Sequence, residues 1–324
     1  MNKLLKLSLG ILISVLGLYL AFHRMDFDAL LENIRRVNFG LVLAASGLMV
    51  FSVWVRALRW KQLLNRQEFR LHHLFASAMI GYFGNSVLPF RLGEALRAYD
   101  ITTKEQLSFS ESIGTLILER FLDLIGLALV IGLFTMAYPS GVLLNRGALL
   151  LILGVLAVFV LGIWLPQPLR KIQALLHRWE PPSAFQQKIN RFLRGLVDGI
   201  DSLRGNPHGI GLTFHTIFLW AIYYFSLYLI TLGIGIHLSW DQIGVLLIST
   251  TFSIMIPAAP GYVGTYHAVA VLVLNSMFKI PLAESQAVAI ILHAIGTLPY
   301  VVIGAGYFFS SSIKISDLKS GNSA

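Results

Sequence analysis

Eight stretches of this chain are predominantly apolar and 16 to 29 residues long, and this pattern decides the fold class before any motif does. They are Leu4–Phe22, Phe39–Trp60, Ser110–Tyr138, Val142–Leu165, Leu212–Ile236, Asp241–Ile256, Tyr262–Phe278 and Ser285–Phe309. A helix rises 1.5 Å per residue, so about 20 apolar residues cross the roughly 30 Å of hydrocarbon in a bilayer. Over its 324 residues the chain is 56% hydrophobic and 13% charged, with a mean hydropathy of +0.72. Soluble domains carry about 25% charged residues, so a water-soluble enzyme, a disordered chain and a fibrous protein are all excluded. The expected fold is all-α: a polytopic transmembrane helical bundle of about eight spans with one or two re-entrant broken-helix hairpins. Residues 1–324 read as one integral-membrane domain. Asp241–Ile256 and Tyr262–Phe278 are short enough to be two half-helices of one hairpin, and either choice leaves the C-terminus in the cytoplasm.

The net charge of +9 follows from topology. With the N-terminus in the cytoplasm, nineteen of the 25 lysines and arginines fall on the inside and five outside, with Arg120 inside the membrane. That asymmetry is the positive-inside pattern, and no nucleic-acid partner is needed to account for it. Lys3 and Lys6 precede the first apolar run, which is long for a signal peptide and has no small-x-small cleavage site before His23, so it reads as a retained signal anchor. The one sizeable polar connection, 166–210, is read as cytoplasmic. Within it Phe185, Ile189, Phe192, Leu196, Ile200 and Leu203 recur at helical spacing among Lys188, Arg191 and Arg194, the pattern of a helix lying on the membrane surface. The absence of cysteine removes disulfides, thiolate metal sites and a cysteine nucleophile.

Two apolar stretches are interrupted where a continuous helix is expected. They are Gly81–Asp100, with Gly84, Asn85, Pro89 and Gly93, and Ser253–Ala270, with Pro257, Pro260, Gly261 and Gly264. Proline removes a backbone donor and clashes with the preceding turn. Unpaired backbone cannot face lipid, so such breaks are buried in protein or line a wet cavity. One break in each half is the sequence pointer to a midplane transport site, and the freed helix N-termini favour an anion.

Ionisable residues inside apolar spans sharpen this reading. Glu119, Arg120 and Asp123 lie in Leu116–Leu129. From an inner edge near Ser110, Arg120 is about 15 Å deep, where a charge costs about 2.5–3.5 kcal/mol. Glu119 and Asp123 share a helix face, and one arginine neutralises only part of their repulsion. Another cation (Arg91, Arg97 or Arg56) or a protonated carboxyl must complete the balance. The functional reading is that Arg91, Arg97 and Arg120 bind a phosphate, because the guanidinium fork is planar and permanently charged. Asn85, Glu94, Glu119 and Asp123 then complete the binding site, the three carboxylates orienting the arginines or carrying a proton. The competing reading is a salt-bridged network that fixes helix packing. His267 and His293 also lie in apolar surroundings, and His267 is a candidate proton or polar site.

At these residues the chain resembles the lysylphosphatidylglycerol synthase transmembrane-region family of flippase-like membrane proteins. GNSVLPFRLGEALRAY at Gly84–Tyr99, ERFLDLIGL at Glu119–Leu127 and PAAPGYVGTYHA at Pro257–Ala268 carry the resemblance. It implies a multi-pass protein of the bacterial inner membrane that moves lipids or lipid-linked sugars between leaflets. Its partner would be a membrane phospholipid or a polyprenyl-linked lipid. Bifunctional members add a cytosolic synthase domain, which is not expected in a chain ending at Ala324. Tyr262 and His267 stand where many relatives have a second glycine and a glutamate.

A lipid translocase is therefore the leading expectation, with no catalytic residue, metal or cofactor. GxxxxGK[ST] is absent, so nucleotide-driven transport is not expected. The alternatives are a membrane-embedded head-group transferase with Glu94 or Asp123 as general base, and a structural subunit of an envelope complex.

Overall fold

A computed structural model describes residues 3–23, 25–66, 68–88, 91–105, 107–137, 174–176, 178–179, 187, 190, 208–256 and 259–311. The chain runs through α1 (Lys3–Phe22), α2 (Phe27–Arg35), α3 (Phe39–Leu64), α4 (Leu71–Val87), α5 (Gly93–Glu105) and α6 (Phe109–Ala137). It resumes with α7 (Gly209–Gly233), α8 (Trp240–Met255), a 3-10 turn (Pro260–Tyr262), α9 (Thr265–Val271), a π-helical turn (Leu272–Met277) and α10 (Leu282–Ser310). Among the described residues there is no strand, and the all-α expectation is met. The expected span Val142–Leu165, most of the amphipathic stretch in 166–210, and the motif residues Pro89 and Pro257 lie outside the described residues.

Among the described residues three helices, α3, α7 and α10, are long and apolar enough to cross a membrane. At 29 residues, α6 matches α10 in length but carries the charges of the central motif. The surface of the spanning helices is apolar: Leu43 and Phe51 of α3, Phe214 and Phe225 of α7, and Val302 and Phe309 of α10 are all exposed. Polar residues lie inside, including Ser52, Thr216, Ser226, Thr250 and Gln286. Large apolar side chains thus cover the outside of these helices as well as the core, an arrangement that contact with lipid favours. The buried hydroxyls donate back to carbonyls one turn earlier, as Thr216 does to Leu212 (2.8 Å), Ser226 to Ile222 (2.8 Å) and Thr250 to Leu246 (2.7 Å). No water is needed for their satisfaction.

The described residues form two compact units. One holds residues up to Trp54, Ala78–Leu96 and those from Leu219 onward; the other holds Val55–Ser77 and Arg97–Phe218. In the first, α9 packs on α1, α8 and α10. Small residues allow this: Ala21, Ala270 and Ala289 meet with Val271 in one buried cluster. The Gln286 amide donates to the Ala21 carbonyl at 2.7 Å.

Two helix–break–helix pairs interrupt the spans. α4 (17 residues) leads into α5 (13 residues), and α8 (16 residues) leads through the 3-10 turn into α9. Each of these helices is shorter than the roughly 30 Å that a crossing requires. The α4–α5 pair follows an antiparallel register. Gly84 meets Gly93 in the first unit. In the second, Ser77 donates to Asp100 (2.5 Å) and His73 meets Glu105 (2.5 Å). The approach at Gly93 is so close that a Cβ there would collide with the Gly81 carbonyl and lie 2.6 Å from Asn85 Oδ1. That same Oδ1 accepts the Gly93 N–H at 3.0 Å, capping the first residue of α5.

Gly93→Ala is therefore expected to cost about 1–3 kcal/mol through overpacking and to lower the thermal midpoint of the detergent-solubilised protein. Gly47 on α3 has nothing within 4 Å of a Cβ, so Gly47→Ala serves as the control and should be neutral or stabilising by about 0.5–1 kcal/mol. Fluorescence-detected size exclusion after heating reads both; equal midpoints would remove the close approach.

Candidate functional site

The sequence-predicted residues fall into two groups, one in each unit. The first is a charge cluster on α3, α5 and α6. Arg56 and Arg59 lie three residues apart on α3 and so share a face. Arg97 comes from α5, while Glu119, Arg120 and Asp123 come from α6. Arg97 holds Glu119 with two parallel hydrogen bonds, Nη1 to Oε1 at 3.0 Å and Nη2 to Oε2 at 2.9 Å. This is the bidentate fork that makes arginine–carboxylate pairs strong. Arg56 reaches both carboxylates, Glu119 at 2.5 Å and Asp123 at 3.0 Å. Arg59 donates to Asp123 at 2.5 Å and to Thr216 of α7 at 3.2 Å. Arg120 donates to Asp123 at 3.2 Å.

Burial divides this cluster. Arg59 and Glu119 are fully buried, and Arg56 and Arg97 nearly so. Trp60 packs under Arg97, with its ring 4.0 Å from the guanidinium carbon, and its indole N–H donates to Thr115 at 2.9 Å. A cation over an indole face gains from the ring quadrupole where water is absent. Arg120 differs: its side chain is 45% exposed, and that of Asp123 is 20% exposed. The cluster thus has a sealed interior and an open margin formed by two neighbours on α6. Among the described residues it holds four guanidiniums and two carboxylates, a surplus of positive charge inside apolar helices.

The second group brings the two broken segments together. Arg91 adopts φ +55° and is exposed. Its guanidinium donates to the carbonyl of Ile254 in the last turn of α8 and lies over the Tyr262 ring at 5.4 Å. A cation at a helix C-terminus satisfies a carbonyl that has no partner within the helix. Glu94 complements the other polarity from the first turn of α5. Pro260 opens the 3-10 turn, where Gly261 takes φ +70°, and Gly264 takes φ +97°, a conformation that suits glycine alone. Gly264 sits against the backbone of Ser14 on α1, whose hydroxyl accepts the Ala259 N–H at 2.8 Å. The Gly261 carbonyl accepts from His293 Nε2 at 2.7 Å.

Arg97, Glu119, Arg120 and Asp123 thus belong to one cluster, while Asn85, Arg91, Glu94 and the glycines lie at the two breaks, which Arg91 links. Sequence reasoning named Arg56 only as a possible extra cation and missed Arg59 and Trp60. Both arginines had been counted among the inside-facing charges that set orientation. Their spacing of three on an apolar helix was the available signal, and the positive-inside bias survives their removal.

Removing one partner of a buried ion pair leaves an uncompensated charge, at a cost of about 3–5 kcal/mol. Glu119→Gln is expected to lose at least that much, because Arg56 and Arg97 both depend on it. Arg120→Gln, at the exposed margin, is expected to cost less than about 1 kcal/mol. Melting curves of the two variants check the order, and equal midpoints would contradict the division into interior and margin.

A family described as the lysylphosphatidylglycerol synthase TM region matches residues 7–304. Glycosyltransferase AglD of Haloferax volcanii is similar at 23% identity over 347 residues, covering 95% of this chain and 54% of that protein. The chain therefore spans about half the length of this curated relative. No solved structure matches the chain. With the match running from the first helix into the last, the chain belongs to the lysylphosphatidylglycerol synthase TM region family.

Proposed function

We propose that this protein is a translocase for an anionic membrane lipid, either a phospholipid or a polyprenyl-linked sugar, and that the head group is taken up at Arg120, on the open margin of the charge cluster. The observation that carries the reading is the exposure of Arg120. It lies eleven residues into α6, about 16 Å along the helix, and its side chain is 45% exposed beside a cluster that already has more cations than carboxylates. An ionised group at that depth is costly in hydrocarbon, and an anion at the open margin offsets the cost. Arginine binds phosphate bidentately, so a phosphodiester or diphosphate is the matching chemistry. Arg56, Arg59, Arg97 and Glu119 act as positioning residues in this reading, because their hydrogen bonds fix Asp123 and the flank of α6.

The two helix–break–helix pairs are read as re-entrant hairpins, each too short in its parts to span the bilayer. Arg91 joins them as a structural cation. In this reading the protein lies in the bacterial inner membrane with both termini cytoplasmic. Transport is passive or ion-coupled, since the sequence holds no nucleotide loop.

The relative's name as a glycosyltransferase favours a second reading, a head-group transferase. In that case Asp123 or Glu94 would serve as general base. Asp123 is engaged by three arginines, which hold its lone pairs and make it a poor base. Turnover of a lipid acceptor and a sugar donor by the purified protein is the outcome that would favour this reading.

The test is reconstitution into vesicles with fluorescent phosphatidylglycerol and a fluorescent dolichyl-phosphate sugar, reading the fraction of probe quenched by external dithionite over time. Wild type is expected to accelerate exchange of at least one probe. Arg120→Ala removes a charge-assisted contact of about 1.5–3 kcal/mol and should slow exchange about ten- to a hundredfold. Arg36→Ala, at the exposed residue just after α2, should match wild type. Identical rates for wild type and Arg120→Ala across both probes would sink the assignment.

A further inference from the structure

The turn that follows α8 is held by two imidazoles, and the head-group reading uses neither. His267 on α9 and His293 on α10 lie with ring centroids 4.6 Å apart. His267 is buried at 7% exposure, and His293 is partly buried. Each ring grips the backbone of the turn at a different glycine. The Gly264 N–H points at His267 Nδ1 at 3.5 Å, so this nitrogen serves as acceptor and carries no proton. His293 Nε2 donates to the Gly261 carbonyl at 2.7 Å, so this nitrogen carries one. The hydrogen bonds therefore fix both tautomers.

The segment they hold is strained. Gly261, Tyr262 and Gly264 take φ +70°, +58° and +97°, and the tyrosine has no glycine-like freedom there. Directly beyond α9 the helix widens into a π turn at Leu272–Met277. Such outliers cluster at switch regions.

We propose that His267 and His293 form a single proton-binding site whose occupancy sets the conformation of the Gly261–Gly264 turn. Two imidazolium rings this close in an apolar setting repel strongly, so the pair takes one proton rather than two. A proton placed on His293 Nδ1 leaves its hold on Gly261 intact. A proton placed on His267 Nδ1 turns an acceptor into a donor facing another donor, and the Gly264 contact is lost. Moving one proton between the rings therefore releases one end of the turn while the other stays held. Tyr262, within the turn, carries the ring over which Arg91 lies, so the release reaches the joint between the two broken segments.

Among the described residues, Arg91 brings a charge to the turn over the Tyr262 ring, and neither imidazole is paired with an acid. Among the described residues, α1 has no acid facing it and contributes Phe22, ring to ring with His267 at 5.4 Å. The acids of α8 and α10 are Asp241 and Glu284, both in first turns, some nine residues from Thr250 and His293. Tyr266 faces His293 at 5.2 Å and also meets Thr250. His23, at the end of α1, stacks on Tyr19. On α2, which packs against α10, Asp28, Glu32 and Arg35 are exposed, and Glu32 pairs with Arg36.

The chain has no cysteine, so a single introduced thiol is an unambiguous reporter. Val263, 37% exposed in the centre of the turn, is the position for it. The rate of maleimide labelling of Val263→Cys is measured in lipid nanodiscs from pH 5.5 to 8. It is compared with the same reporter in His267→Asn/His293→Gln, where Asn keeps an acceptor at the Nδ1 place and Gln keeps a donor at the Nε2 place. The change in thiolate fraction is common to both, so their rate ratio isolates the histidines. A ratio that shifts roughly threefold or more across the range is expected for a two-state turn; a constant ratio overturns the proposal. Imidazole nitrogen NMR on the otherwise unaltered protein gives an independent answer should the double variant fail to fold. One protonation shared by the two rings supports the site, whereas two independent titrations, or none down to pH 5, overturn it. Neither measurement involves lipid movement, so the proton site and the head-group reading stand or fall separately.

Discussion

Charge inside hydrocarbon must be answered by charge, and the packing of α3, α5 and α6 follows from that requirement. Arg56 and Arg59 have no water to turn to on an apolar helix, and Glu119 has none on α6. The bidentate Arg97–Glu119 pair fixes α5 against α6, and Arg56 ties α3 to both α6 carboxylates. Apolar contacts between helices are weak discriminators in lipid, because lipid tails are as apolar as leucine. A network of forked, directional hydrogen bonds supplies the missing specificity, a use of buried ion pairs that outweighs their modest net stability.

The same logic governs the broken segments. Each break leaves backbone groups that neither lipid nor a continuous helix can satisfy. Side chains from elsewhere in the chain meet them: Asn85 caps α5, Arg91 covers the end of α8, Ser14 accepts from Ala259, and His293 donates to Gly261. The backbone there is irregular yet furnished with partners, which is the condition under which irregular chain persists at membrane depth.

Much of this was legible in the sequence. Helix positions follow from runs of apolar residues, a local property, and the observed ends of α3, α6, α7 and α10 fall within a few residues of those expected. The two breaks were legible because glycine and proline act on their own neighbours. The partners were not. Nothing within Phe39–Trp60 reveals that Arg59 meets Asp123, 64 residues away, and counting it as a cytoplasmic flank charge was the natural reading of its place near a helix end. Arg91 reads from the sequence as a phosphate ligand because its guanidinium fork suits a phosphate and it lies in the first broken segment. Its engagement with the Ile254 carbonyl depends on a segment 163 residues later. Pairing across such separations is set by packing, and one sequence does not display it.

The partly exposed Arg120 side chain on α6 also bears on the bilayer itself. Lipid next to a fixed cation at that depth responds by dimpling, drawing phosphates and water inward until the ion is solvated. On the translocase reading proposed above, the hydrocarbon slab beside α6 is then thinner than elsewhere around the protein. A polar molecule crossing at that spot has less oil to traverse, so the protein remodels its solvent as well as its own interior.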